Sequence, residues 1–233
     1  MTEEIKILSL SVASIAFLHT LMGPDHYLPF IVLSKARKWS WIKTTWITIV
    51  CGIGHVGSSI AIALIGVALG FGISKINGIE GLRGNLAAWA FVIFGLIYFL
   101  WGLWRVYNKK THKHIHLHKK GHIHAHSHTH EDEHNHTHNK NLTPWILFTI
   151  FVLGPCEPLI AIVVYPASEG NTLGLITVIA VFSFVTILTM LSIVLLAFFG
   201  INFLPLKKFE KYTHAIAGAT ILLSGLAILF LGL

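Results

Sequence analysis

Six long apolar segments dominate this 233-residue chain and restrict what it can fold into. They span approximately 5–33, 44–73, 86–107, 142–165, 173–199 and 215–233. Each is long enough to cross a bilayer, which takes roughly 20 predominantly apolar residues. Because a backbone exposed to lipid must satisfy its own hydrogen bonds, each segment is expected to be a helix. The sequence therefore predicts an all-α integral membrane protein with six transmembrane helices.

The composition supports a multi-pass protein of the cell (inner) membrane, with the lipid bilayer as its surroundings. Hydrophobic residues make up 54% of the chain, and charged residues only 12%. A net charge of +7 would suit a nucleic-acid-binding protein, but the basic residues flank the apolar segments and form no continuous stripe. We therefore expect no nucleic acid partner.

The distribution of lysine and arginine predicts the orientation in the membrane. Of the 17 basic residues, all but Lys6, Lys75 and Arg83 lie on the connections that follow the first, third and fifth segments. Basic loops stay in the cytoplasm. Both termini are therefore expected outside, and the long central loop is expected in the cytoplasm.

An internal repeat divides the chain into two halves. The tetrapeptide Gly-Pro-Asp-His at 23–26 recurs as Gly-Pro-Cys-Glu at 154–157. Proline lacks an amide donor, so the first and fourth helices should both be broken. With three helices in each half, the second copy would be inverted, a plan known from transporters with a site near the midplane. We predict a 3+3 inverted repeat, with 1–108 and 142–233 as the two halves and 109–141 as the loop between them.

Ionisable residues inside the apolar segments are the candidates for function, because they are costly in lipid. His19, Asp25 and His26 surround the first break. Imidazole and carboxylate together suit borderline divalent ions such as nickel, cobalt or zinc. His55, in the second segment, is either a further ligand or a partner in a packing hydrogen bond.

The second break adds a thiol and a carboxylate. Glu157 is interpreted as a metal ligand or as a proton carrier coupled to metal movement. Cys156 is either a soft thiolate ligand or a packing residue, whereas Cys51 is interpreted as packing alone. The predicted metal site therefore consists of His19, Asp25, His26, His55, Cys156 and Glu157.

The loop at 109–141 is rich in histidine. Twelve of the 16 histidines lie between His112 and His138, many of them at alternate positions. The loop has too few apolar residues to fold alone, so we expect it to be disordered. Neutral imidazoles at this density bind transition metals with little selectivity. We expect the loop to capture or buffer metal in the cytoplasm.

These motifs resemble those of the nickel/cobalt transporter group, which includes nickel/cobalt efflux proteins and UreH-type urease accessory membrane proteins. The resemblance depends on His19, Asp25 and His26, on His55, on the His-rich loop and on Pro155-Cys156. It implies a transporter of divalent metal, with the first-helix residues and His55 as ligands. The substrate would be nickel or cobalt, with zinc as an alternative.

The leading hypothesis is therefore a secondary transporter, not an enzyme, with alternating access through motion of the two repeats. A metallochaperone or a metalloenzyme-maturation protein would be a partner. The Gly-Pro-Cys-Glu-Pro break is also similar to the Pro-Cys breaks of thiol-disulfide electron-transfer membrane proteins, which share the three-plus-three plan. The equivalent of Cys156 in the first break is Asp25, and this disfavours a reactive cysteine pair. A metal sensor or metal-insertion partner and an anion (sulfite) exporter are further alternatives.

Overall fold

The computed structural model describes residues 3–108, 112–117, 123–128, 142–201 and 206–231. The first half contains helices α1 (Glu3–Met22), α2 (Leu28–Ala36), α3 (Trp41–Ala68) and α4 (Ile73–Tyr107). Strands β1 (His112–Leu117) and β2 (Ile123–His128) follow. The second half contains α5 (Leu142–Leu153), α6 (Glu157–Ser168), α7 (Thr172–Ile201) and α8 (Thr213–Leu231). Short 3-10 turns, Pro24–His26 and Leu206–Tyr212, precede α2 and α8.

The described helices are apolar enough to span a membrane several times. Four qualify alone, namely α3, α4, α7 and α8 with the turn before it. Two bent pairs would bring the number to 6, since α1 and α2 meet at 83° and α5 and α6 at 50°. The predicted all-α, multi-pass membrane protein is confirmed at this level. The inverted relation of the two halves stays a prediction.

Both helix breaks lie where glycine and proline predicted them. The amide of Gly23 donates to the carbonyl of His19 at 3.1 Å and closes α1, and Pro24 then begins the 3-10 turn. In the second half, α5 ends at Leu153, just before Gly154 and Pro155. Both α2 and α6 resume with a proline in their first turn, where its missing amide costs no helical bond.

Helices α4 and α8 pack backbone against backbone. A Cβ added at Gly95 would lie 2.7 Å from Leu222 Cα, and one at Gly225 would lie 2.8 Å from the amide nitrogen of Val92. Gly218 meets the backbone of α4 in the same way. Small residues permit such close approach in membranes, where dispersion contacts hold helices together.

The third apolar segment is longer than the sequence predicted. We expected it to begin near residue 86, whereas α4 begins at Ile73. The added turns contain Glu80, which is fully buried, and its partner Arg83. Because the two charges pair inside the protein, the helix continues through a stretch that composition alone assigned to a loop.

In the connection between α4 and α5 the structure describes one antiparallel strand pair. His112 lies opposite His128 and Leu117 opposite Ile123 in its register. The other residues of 109–141 lie outside the described part of the chain. The expected disorder therefore stays a prediction for those other residues, and metal capture stays a prediction for the whole loop.

Candidate functional site

Three imidazoles from three separate elements meet inside the helical body. His19 lies in the last turn of α1, His26 in the 3-10 turn and His55 in α3. The ring centroid of His26 is 5.0 Å from that of His19 and 5.0 Å from that of His55. One ring nitrogen of each residue lies within 4.8 Å of the other two. The bend after α1 thus brings together three of the six predicted residues.

The orientation of two of these rings is fixed by backbone carbonyls. His26 Nδ1 lies 3.1 Å from the carbonyl oxygen of Gly23, and His55 Nδ1 lies 3.3 Å from that of Phe151. A carbonyl oxygen can only accept, so Nδ1 carries the proton in both rings. The Nε2 atoms of His26 and His55 are buried and have no hydrogen-bond partner among the described residues. In its neutral form, each of these two rings would keep a free lone pair on Nε2.

The two predicted carboxylates take different places. Asp25 lies behind His26, with Oδ1 3.2 Å from His26 Nδ1, and it is not part of the close group of ligand atoms. Glu157 is exposed at the start of α6 and also lies outside that group. Asp25 therefore contacts one ring nitrogen of His26, Nδ1, as carboxylates often do to orient a metal-binding histidine.

The two cysteines have unlike surroundings. Cys156 is completely buried, and its Sγ lies 3.9 Å from His19 Nε2. Cys51 borders an apolar cavity of about 220 Å³ between α3 and α5, as a packing residue would. Both thiols are free, and they belong to different apolar clusters.

Sequence reasoning missed Glu80, which is a central residue of this region. Its Oε2 accepts a hydrogen bond from the amide of Cys156 at 3.2 Å and another from the hydroxyl of Ser59 at 3.2 Å. Its Oε1 pairs with Arg83. The i,i+3 spacing of opposite charges was the available signal, since such pairs are neighbours on one helix face.

Arg83 was counted among the basic residues of a loop, yet it reaches the second break. Its Nη2 donates to the carbonyl of Val152 at 2.7 Å and to that of Gly154 at 3.1 Å. The same nitrogen donates to the hydroxyl of Ser58 at 2.7 Å. The Glu80–Arg83 ion pair of α4 therefore contacts the backbone on both sides of the break between α5 and α6.

Two kinds of chemistry are available in this arrangement. The thiol of Cys156 lies near an imidazole that can take its proton. The three imidazoles supply neutral nitrogen donors that suit zinc, copper and other borderline metal ions. The ring nitrogens now lie within 4.8 Å of one another. A tetrahedral ion with bonds of about 2.1 Å would need them about 3.4 Å apart, so the three rings would have to move closer together.

A family comparison places the chain among known membrane proteins. Residues 29–227 match the family model described as "Cytochrome C biogenesis protein transmembrane region". No curated protein and no solved structure shows significant similarity to the chain. The match covers most of the chain and extends across both halves.

This match shows that the expected membership of the nickel/cobalt transporter group is wrong. The predicted nickel/cobalt transport is wrong for the same reason, and the thiol-disulfide alternative agrees better with the match. The resemblance depended on short motifs, and its main motif, at 19–26, lies before the first matched residue. Histidines and carboxylates beside a helix break are not specific to one family of membrane proteins.

Proposed function

The chain belongs to the cytochrome c biogenesis protein transmembrane region family, and on that premise we propose that it transfers electrons by thiol-disulfide exchange in the membrane. Cys156 is the reactive thiol in this proposal. The observation that carries it is the 3.9 Å distance between Cys156 Sγ and His19 Nε2. A neighbouring imidazole is a common means of activating a cysteine, because only the thiolate is a nucleophile.

The proposed reaction begins when His19 takes the thiol proton of Cys156. The thiolate attacks one sulfur of a partner's disulfide, whose S–S bond breaks as a mixed disulfide forms. A donor dithiol then attacks the Cys156 sulfur, and this releases the partner with both of its sulfurs reduced. The second thiol of the donor displaces Cys156 and closes the donor's own disulfide. Two electrons and two protons have then passed from donor to partner.

A disulfide reagent tests this proposal on the full chain in lipid nanodiscs. With Cys51→Ser, dithiodipyridine should release one thiopyridone per chain, and dithiothreitol should restore the thiol. Cys156→Ser should react much more slowly, because no imidazole is hydrogen-bonded to the Cys51 thiol among the described residues. His19→Gln should slow the reaction of Cys156 by roughly 100-fold, as expected when a general base is lost.

The matched control is His214→Gln. His214 lies outside the site, where its Nδ1 is 2.8 Å from the hydroxyl of Tyr98, so its replacement should leave the rate unchanged. A Cys156→Ser chain that reacts as fast as the unmodified chain would refute the proposal.

We also propose that His19, His26 and His55 bind one transition-metal ion. The supporting observation is the pair of buried Nε2 atoms of His26 and His55, which have no partner among the described residues. A lone pair held in the interior without a donor is costly, and a metal ion would satisfy it. Metal-binding histidines typically donate a hydrogen bond from the ring nitrogen that does not bind the metal, as Nδ1 would here.

Cobalt(II) is a suitable probe for this site, because its visible absorption reports the coordination geometry. The titration uses the full chain with its twelve loop histidines replaced by asparagine, so that the loop does not compete. We expect one cobalt per chain, lost in His26→Ala and His55→Ala and retained in His214→Ala. If the chain with intact core histidines binds no cobalt, the proposed site does not exist.

We further propose that the two halves are inverted copies and that the His-rich loop faces the cytoplasm. Helix packing supports the first point: α1 packs on α7 as α5 packs on α3, and α2 packs on α8 as α6 packs on α4. If α1 to α4 correspond to α5 to α8 in order, the contact of α1 with α7 corresponds to that of α5 with α3. The contact of α2 with α8 corresponds in the same way to that of α6 with α4. The basic residues on the connections support the second point.

A further inference from the structure

We infer that Glu80 and Arg83 are positioning residues that hold Cys156 in its buried place beside His19; the inference builds on the proposed function. Glu80 is 0% exposed and lies in a helix long enough to span the membrane. Ionisable side chains are costly at such depth and are generally retained for a specific contact. The contacts of this pair all converge on the second break and on the helix beside it.

The pair satisfies backbone groups that the break leaves open. When a helix stops, its last carbonyls and the first amides of the next helix lose their helical partners. Arg83 donates to two such carbonyls, those of Val152 at 2.7 Å and Gly154 at 3.1 Å. Glu80 accepts from the first amide after the break, that of Cys156, at 3.2 Å. One ion pair thus replaces missing hydrogen bonds on both sides of the break.

The same pair is anchored to α3 and packed tightly against the break. Arg83 donates to the hydroxyl of Ser58 at 2.7 Å, and Ser59 donates to Glu80 at 3.2 Å. Gly84, the next residue of α4, leaves room for the ring of Pro155: a Cβ there would lie 2.9 Å from Pro155 Cγ. The backbone of Cys156 is therefore held through its own amide and through the ring before it.

The distance from Cys156 Sγ to His19 depends on this backbone position. No hydrogen bond from the pair to the sulfur is present among the described residues, so the pair acts through the main chain. Removing either charge should release the break. The thiol should then leave its buried position and become accessible to small reagents.

The test compares Glu80→Gln and Arg83→Gln in full-length protein with Cys51→Ser, in nanodiscs. We expect alkylation of Cys156 by N-ethylmaleimide to become at least about ten-fold faster in both variants, since breaking a buried pair strongly favours local opening. Hydrogen-deuterium exchange should increase in the peptide around 154–158 and stay unchanged in α8. Arg83→Lys should restore the slow rate only in part, because one ammonium cannot reproduce the contacts of a guanidinium fork.

Two further variants separate positioning from general stability. The double variant Glu80→Gln/Arg83→Gln leaves no unpaired buried charge, so its thermal stability should exceed that of Arg83→Gln. Its Cys156 should nevertheless react as fast as in the single variants, because the contacts with the break are gone. Glu3→Gln is the matched control, since Glu3 and Lys6 form an exposed i,i+3 pair at 2.7 Å, and it should leave the rate unchanged.

Unchanged alkylation and exchange in Glu80→Gln and Arg83→Gln would overturn the inference. So would an equal acceleration at Cys51, measured with Cys156→Ser, since that would indicate general loosening. Neither measurement needs a disulfide partner. If dithiodipyridine fails to react with Cys156, the proposed function is wrong. The rates of alkylation and of hydrogen-deuterium exchange still test the positioning of the thiol in that case.

Discussion

At the scale of single residues, the site depends on what each imidazole contacts through Nδ1. Gly23 and Asp25 hold His26, and the carbonyl of Phe151 holds His55. The sequence predicted that these histidines lie near a helix break, because glycine and proline are local signals. The sequence could not show that Asp25 contacts His26 Nδ1 and lies outside the group of three ring nitrogens, since its position depends on how the chain turns after Pro24.

Asp25→Asn tests whether Asp25 orients His26 or binds metal itself. An asparagine oxygen can still accept from His26 Nδ1, so we expect cobalt affinity to fall only about 10-fold, at the low end of what the loss of a histidine's hydrogen-bonded carboxylate costs. The shape of the visible cobalt spectrum should be retained. His26→Ala should abolish the spectrum. Loss of the spectrum in Asp25→Asn as well would mean that the carboxylate is a direct ligand.

Gly154→Ala tests how closely the second break approaches His55. An added Cβ would lie 3.0 Å from His55 Nδ1 and 3.2 Å from the carbonyl oxygen of Phe151. We expect a loss of about 1–3 kcal/mol in the free energy of unfolding, as in overpacked cores, together with weaker cobalt binding.

Gly57→Ala is its control, because nothing lies within 4 Å of a Cβ there. Alanine at this helical position should stabilise the protein by about 0.5–1 kcal/mol. Both variants are compared by chemical or thermal unfolding in the same detergent. Equal stability of the two variants would contradict the close approach at Gly154.

At the scale of helices, local sequence predicted the breaks but not the angles between the broken pieces. Pro24 and Pro155 lack amide donors wherever they stand, so the interruption is a local property. The 83° and 50° bends depend on neighbouring helices. The start of α4 depends likewise on the contacts that Glu80 and Arg83 make with α3 and with the second break, which is why the sequence placed both residues outside the helix.

Gly218→Ala tests the contact between α4 and α8. An added Cβ would collide with backbone atoms of Phe99 in α4. Backbone atoms of a helix cannot move aside as the end of a flexible side chain can. We expect a destabilisation of about 3 kcal/mol, at the upper end for overpacking. Gly81→Ala, on α4 with nothing within 4 Å of its Cβ, should be neutral or slightly stabilising. Thermal unfolding in detergent compares the two, and equal melting temperatures would contradict the tight helix contact.

At the scale of the whole molecule, hydropathy predicted an all-helical, multi-pass membrane protein, and the structure confirms it at that level. The family was not predictable in the same way. A polar cluster inside a membrane restricts the chemistry that is possible there, yet several families share such clusters. The match extends over 29–227 and therefore covers both halves of the chain, whereas each motif covers only a few residues.

Limited proteolysis tests the orientation. Trypsin should cut the loop lysines between Lys109 and Lys140 in inside-out membrane vesicles and leave them intact in right-side-out vesicles. The reverse pattern would place the loop outside and would contradict the orientation predicted from the basic residues. Permeabilised vesicles, which should be cut in either orientation, provide the control.

The glycine contact between α4 and α8 also bears on how this molecule can move. Where two main chains touch, sliding or rotation of either helix would bring backbone atoms into collision, so we expect this pair to form a fixed frame. The interrupted spans have joints at Gly23-Pro24 and Gly154-Pro155, and both joints border the histidines and the thiol. Any opening of the protein toward one face of the membrane would therefore swing the short halves of these spans, while the frame stays still.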